Sequence, residues 1–216
     1  MGRLAPSEYG SEMPDPELAA PTVDPGSTST FEPPGGLLVW IVLVVETVTF
    51  GAGLVTFAVT RRQEPAVFAA GRAALHQPLA LFNTLVLLTG GFFMANAVAG
   101  LRGGRSSAAA RWTLAATGSG VVFLVLKGVE WAEKLRHGLG LHHDSFFTYY
   151  WLLTGFHFLH VMVAVAILGF MYLGIRAGRY SREDHIDVES GGVFWHMCDL
   201  IWLLVYPTIY LLGGGA

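Results

Sequence analysis

Residues 147–173 read FTYYWLLTGFHFLHVMVAVAILGFMYL. The run is apolar and long enough for a helix rising about 1.5 Å per residue to cross a hydrocarbon core of about 30 Å. In lipid only a helix satisfies its own backbone donors and acceptors within one segment. Four more blocks repeat the pattern, from about Gly36 to Thr60, Leu79 to Gly100, Trp112 to about Ala132, and Val193 to Leu212. The chain therefore reads as an all-α integral membrane protein, a five-transmembrane-helix bundle within residues 36–216. Composition agrees. Of 216 residues, 53% are hydrophobic and 13% charged, with a mean hydropathy of +0.51. That is too little charge to coat a soluble domain of this size.

The segments between blocks carry stop and start signals. Pro33-Pro34-Gly35-Gly36 precedes the first block and Arg61-Arg62 closes it. His76-Gln77-Pro78 precedes the second, and Arg102-Gly103-Gly104-Arg105 follows it. Trp112, Tyr149, Tyr150, Trp151 and Tyr210 lie near block ends, where an aromatic belt is expected. Residues 174–192, rich in charge, are expected in water. Residues 1–35 hold seven prolines and six acids with no apolar core, and read as a disordered tail rather than a secretory signal.

Loop charge sets the expected orientation. With the N-terminus in the cytoplasm, the inner side holds Arg3, Arg102, Arg105, Arg111, Arg176, Arg179 and Arg182 against Arg61, Arg62, Arg72, Lys134 and Arg136 outside. The C-terminus is then periplasmic. A net charge of −3 and the lack of a basic run give no nucleic-acid partner. The single cysteine, Cys198, excludes an internal disulfide and reads as packing.

The informative residues are the ionisable ones inside the blocks, because such groups normally face protein and need a partner. Glu46 lies in mid-block. Lys127 and Glu130 are three apart on one helix face and can pair, while Glu133 and Lys134 are expected at the surface. His157 and His160 also share a face, and His196 and Asp199 sit near the start of the fifth block. Helical histidines can ligate a metal or haem, but a closed site needs further ligands. A buried histidine–carboxylate network accounts for this set better. Asn83 and Thr84, with Gly90-Gly91, suggest close helix packing and interhelix hydrogen bonds. His142-His143-Asp144 reads as a solvated loop. There is no phosphate-cradling loop and no serine or cysteine nucleophile elbow.

Four motifs in order resemble the cytochrome c oxidase subunit III family over residues 36–213. Residues 81–88, LFNTLVLL, resemble its LNTxxLL segment. Glu46 with the stretch after it resembles the intramembrane carboxylate of an SExxFF-like helix. Residues 155–161, GFHFLHV, resemble GFHGLHV, and residues 194–202, FWHMCDLIW, resemble the closing WHFVDVVW. Glu130-Trp131 stands where that family has EY or EW. Five helices instead of seven resemble both the short bacterial subunit III and the NorE-type proteins associated with nitric oxide reductase. Lys127 at a common glutamine position and the ending Trp202-Leu203-Leu204-Val205-Tyr206-Pro207 look more similar to the NorE type.

The resemblance implies a non-catalytic accessory subunit that binds no haem, copper or other redox cofactor. It implies bound phospholipid and a carbodiimide-reactive carboxylate at Glu46. The implied partner is a catalytic haem-bearing membrane subunit, of nitric oxide reductase or of a terminal oxidase, in the electron transport and denitrification chemistry of a bacterial cytoplasmic membrane. Two readings from other classes stand beside it. One is a proton or solute transporter using Glu46, Lys127 and Glu130. The other is a metal- or haem-binding enzyme using His157, His160 and His196.

Overall fold

The computed structural model describes residues 36–212, so the tail expected over residues 1–35 lies outside the described residues. The elements in chain order are α1 (Gly36–Gln63), α2 (Pro65–Ala73), α3 (Gln77–Arg102), α4 (Ser106–Arg136), α5 (Ser145–Arg176) and α6 (Ile186–Tyr206), continued by a π-helical turn, Pro207–Leu211. Among the described residues, five helices are long and apolar enough to cross a membrane: α1, α3, α4, α5, and α6 with its π turn.

The helices run past the apolar blocks. α4 starts at Ser106 rather than Trp112, and α6 at Ile186 rather than Val193. The connection expected over residues 174–192 therefore narrows to the residues between Arg176 and Ile186. Hydropathy reports where lipid contact ends, whereas helical hydrogen bonding continues into the interface. α2 is too short to read as a span. Pro65 opens it, where its missing N–H costs nothing, and it buries Phe68 and Gly71.

Local chemistry sets the helix ends. Asp144 caps α5: its carboxylate accepts the Phe147 N–H at 2.8 Å, so this residue of the His142-His143-Asp144 loop has a structural task. Gly138, at φ +74°, ends α4 in the left-handed region that a side chain disfavours. The Gly138 N–H then reaches the Leu135 carbonyl at 3.0 Å and the Leu139 N–H reaches Lys134 at 3.0 Å, a Schellman closure. Gly178 closes α5 in the same way.

The core sits between α3, α4, α5 and α6. Small residues bring α3 and α4 close, with Ala97, Ala109 and Ala116 fully buried. Trp195 of α6 fills the centre. Its ring lies so close to Gly90 of α3 and Gly120 of α4 that a Cβ at either would stand 2.7 Å from it. α1 is peripheral, and only its Phe50 and Phe57 are buried. Phe57 meets Phe68 of α2 and Phe146 and Tyr149 of α5, with ring centroids 5.0, 6.2 and 5.8 Å away. This aromatic cluster holds α1 and α2 to the bundle where α1 ends.

Candidate functional site

The most complete polar cluster joins α4, α5 and the π turn. Lys127 and Glu130 are 1% and 2% exposed, and their facing Nζ and Oε2 are 3.1 Å apart. The Lys127 ammonium also donates to the Tyr210 hydroxyl at 2.5 Å and to the Tyr150 hydroxyl at 3.4 Å. Both tyrosines in turn donate to Glu130 Oε1, at 2.9 Å from Tyr150 and 2.7 Å from Tyr210. Every ammonium proton and both phenol protons therefore have an acceptor. The ammonium also lies within 4.8–5.5 Å of the ring centroids of Tyr150, Tyr210 and Trp202, a cation–π arrangement.

Tyr150 and Tyr210 are thus not belt residues: both are fully buried. Position relative to block ends could not reveal this, because the acceptor they serve lies on another helix. The π turn places Tyr210. It begins at Pro207, which has no N–H to continue the regular ladder. Lys134, expected at the surface, is also buried, and stands 3.9 Å from the partly exposed Glu133. Its side chain is 3% exposed, whereas that of Glu133 is 36% exposed. Glu133 instead meets His76 at 2.9 Å, tying the end of α4 to the start of α3. Ser145 donates to Glu64 in the same region, linking α5 to the α1–α2 junction.

The second cluster lies nearer the start of α1. Glu46 Oε2 is 3.2 Å from His160 Nε2. The opposite ring nitrogen, Nδ1, donates to the Phe156 carbonyl at 2.8 Å, because a carbonyl can only accept. The Glu46 oxygen nonetheless has no hydrogen-bond partner among the described residues. On α6, His196 Nδ1 is 3.5 Å from Asp199 Oδ2, while Asp199 Oδ1 is buried with no hydrogen-bond partner among the described residues.

The histidines do not form one network. His157 is fully buried, and neither ring nitrogen has a hydrogen-bond partner among the described residues. Its ring stacks on Trp202 at 4.8 Å and meets Phe123 edge-on at 5.6 Å. Aromatic packing, not a carboxylate, accommodates it, which corrects its placement in a histidine–carboxylate network. Sharing a helix face with His160 does not make the two share a partner. No group of three histidine, cysteine or acidic residues able to hold a metal occurs among the described residues.

Asn83 and Thr84 tie helices together. The Asn83 amide donates across to the Phe123 carbonyl of α4 at 3.2 Å. Thr84 donates to Ala80 and accepts the Trp202 indole N–H of α6 at 2.9 Å. Chemically, these groups hold helices in register and store a few buried polar contacts.

A family model for cytochrome c oxidase subunit III matches residues 67–214. The match takes in Asn83, Lys127, Glu130, His157, His160, His196 and Asp199, and begins after the helix that carries Glu46. Cytochrome c oxidase subunit 3 of Synechocystis is 28% identical over 171 residues, which is 79% of this chain and 72% of that protein. The corresponding subunit of Thermostichus vulcanus is 30% identical over 131 residues, 60% of this chain and 64% of that protein. A haem-copper oxidase subunit I+III of Aeropyrum pernix is 26% identical over 178 residues, 80% of this chain but only 22% of the relative. With five apolar spanning helices and a family match over the whole α3–α6 core, this multi-pass membrane protein belongs to the cytochrome c oxidase subunit III family.

Proposed function

We propose that this chain is a non-catalytic accessory subunit of a haem-copper-superfamily respiratory complex, packed against a catalytic haem-bearing membrane subunit. The supporting observation is the polar chemistry of the bundle. Lys127, Glu130, Tyr150 and Tyr210 satisfy one another completely, and Asn83 and Thr84 bond across helices. These contacts spend the reactive groups on holding the bundle in one register. Such a subunit supports the assembly, stability or sustained turnover of its partner.

Within that superfamily, association with nitric oxide reductase is the finer reading. It rests on Lys127 at a common glutamine position and on the ending through Tyr206-Pro207. The similarity to oxidase subunits of Synechocystis, Thermostichus vulcanus and Aeropyrum pernix favours the second reading, subunit III of a terminal oxidase. The site is a bacterial cytoplasmic membrane, with the start of α1 on the cytoplasmic side. Phospholipid is part of the proposal. A cavity of about 600 Å³ between the start of α4 and the end of α5 is lined by Ser107, Arg111, Tyr172 and Arg176, a fit for an anionic headgroup above the apolar Leu114.

The experiment is purification of the complex from cells with and without the chain. Co-purification with a catalytic subunit, and faster activity decay or lower complex yield in its absence, is the expected result. Which catalytic subunit is recovered decides between the reductase and the oxidase. A chain that purifies alone, with yield and decay unchanged on deletion, refutes the proposal. Solute or proton flux by the chain alone in liposomes, lost in Glu46→Gln, would replace it with a transporter.

A further inference from the structure

A groove on the outer surface between α3 and α6 combines three features that lipid does not explain. First, α3 contributes a row of small residues to its lining, beside Leu88, Phe92 and Val98 of the same helix. Gly91, Ala95 and Ala99 recur every four residues along α3, so they lie on one helix face and leave the backbone open to close approach. Two contiguous hollows, about 460 and 260 Å³, share Ala95 and His196 in their linings.

Second, a polar pair lines this groove midway along the span Ile186–Leu211. Asp199 is ten positions beyond Glu189, about 15 Å along α6. Glu189 pairs with Arg102 at 2.8 Å and marks the near end of the groove. Third, that polar pair is incomplete. The Asp199 side chain is 8% exposed, yet its Oδ1 has no hydrogen-bond partner among the described residues. The His196 side chain is 46% exposed on the same surface. Gly91 permits this arrangement: a Cβ there would stand 2.2 Å from Asp199 Oδ2.

Acyl chains offer neither donors nor acceptors, so a polar group that faces them stays unsatisfied. We infer that the α3–α6 groove is the docking surface for one transmembrane helix of the catalytic subunit. That helix presents small residues against Gly91, Ala95 and Ala99 and a hydrogen-bonding side chain to His196 and Asp199. Small-on-small contact lets the helix axes come close, and the polar side chain gives the half-exposed His196 imidazole beside Asp199 a partner that lipid does not offer. The inference rests on the accessory-subunit reading and says which face that subunit uses.

The test uses the full chain in its native complex. Ala95→Cys and Leu200→Cys carry a benzophenone photolabel, and Val125→Cys on the exposed face of α4 serves as the comparison. Cys198 is 1% exposed and does not compete for the label. The expected result is cross-linking of Ala95→Cys and Leu200→Cys to one helix of the catalytic subunit, read by mass spectrometry. Ala95→Trp, which fills the groove from an exposed position, lowers co-purification by roughly tenfold or more, the scale of a blocked interface centre. Its melting temperature when purified alone stays at the parent value.

Cross-links to phospholipid alone, or to a second copy of this chain, overturn the inference. So does a complex that forms normally while Val125→Cys, and not the groove positions, reacts with the catalytic subunit. In that last case co-purification persists, so the accessory-subunit reading survives. Loss of co-purification by the parent chain itself removes both.

Discussion

Replacing Glu130 with leucine would leave the Lys127 ammonium in a site that is 1% exposed, with its carboxylate partner gone and two tyrosine hydroxyls without their acceptor. Removing one member of a buried ion pair typically costs about 3–5 kcal/mol, because the remaining charge is stranded. Lys127→Met is expected to cost a similar amount, since the Glu130 carboxylate then loses the ammonium it faces. The cluster is shared, so the two losses overlap. If the contributions were independent, the double variant would lose roughly 6–10 kcal/mol. Here Lys127→Met with Glu130→Leu strands no charge, and is expected to be no less stable than either single variant. Its remaining penalty is the two phenol groups, at about 1–3 kcal/mol each if they find no partner. The assay is a double-mutant cycle on thermal unfolding of the purified chain in micelles. A single variant within about 0.5 kcal/mol of the parent, the range of a neutral surface change, refutes the buried-pair account. So does a double variant whose loss equals the sum of the singles.

Three other predictions test separate links. Gly120→Leu pushes a side chain into Trp195 and Val165, where a Cβ alone already approaches to 2.7 and 2.5 Å. Overpacking of this kind costs about 1–3 kcal/mol, whereas Gly118→Leu, with nothing within 4 Å, leaves the melting temperature unchanged. Asp144→Ala removes the cap on α5, worth about 1 kcal/mol. Amide exchange at Phe147 should then accelerate by about fivefold, with the middle of α5 unaffected. Dicyclohexylcarbodiimide should modify Glu46, which is 20% exposed and lacks a hydrogen bond to Oε2, and should spare Glu130. Mass spectrometry should find the adduct abolished by Glu46→Gln. An adduct on Glu130 would refute the burial argument.

Most of the fold was legible along the chain. Length and apolarity determine spanning helices one at a time, because the bilayer acts on each segment separately. Helix ends were less legible. Interface residues remain helical without being apolar, which is why α4 and α6 begin before their blocks, whereas α2 is apolar but, at nine residues, too short to read as a span.

The candidate site divides along the same line. Three-residue spacing foretold that Lys127 and Glu130 face one another, because the geometry of a single helix decides it. The same spacing misled for His157 and His160, whose partners come from other helices. Glu46 of α1 takes one, while Trp202 of α6 and Phe123 of α4 enclose the other.

The sequence by itself determined five spanning helices, their order, and which few polar residues would have to be sheltered. Only the tertiary structure decided who shelters whom. It brought Tyr150 and Tyr210 from the presumed membrane edge onto Lys127 and Glu130, buried Lys134, and left His196 facing outward beside Asp199. The physical reason is that a hydropathy pattern is local along one helix. The hydrogen-bonding needs of a buried ion are met across the gaps between helices, at positions that only packing specifies.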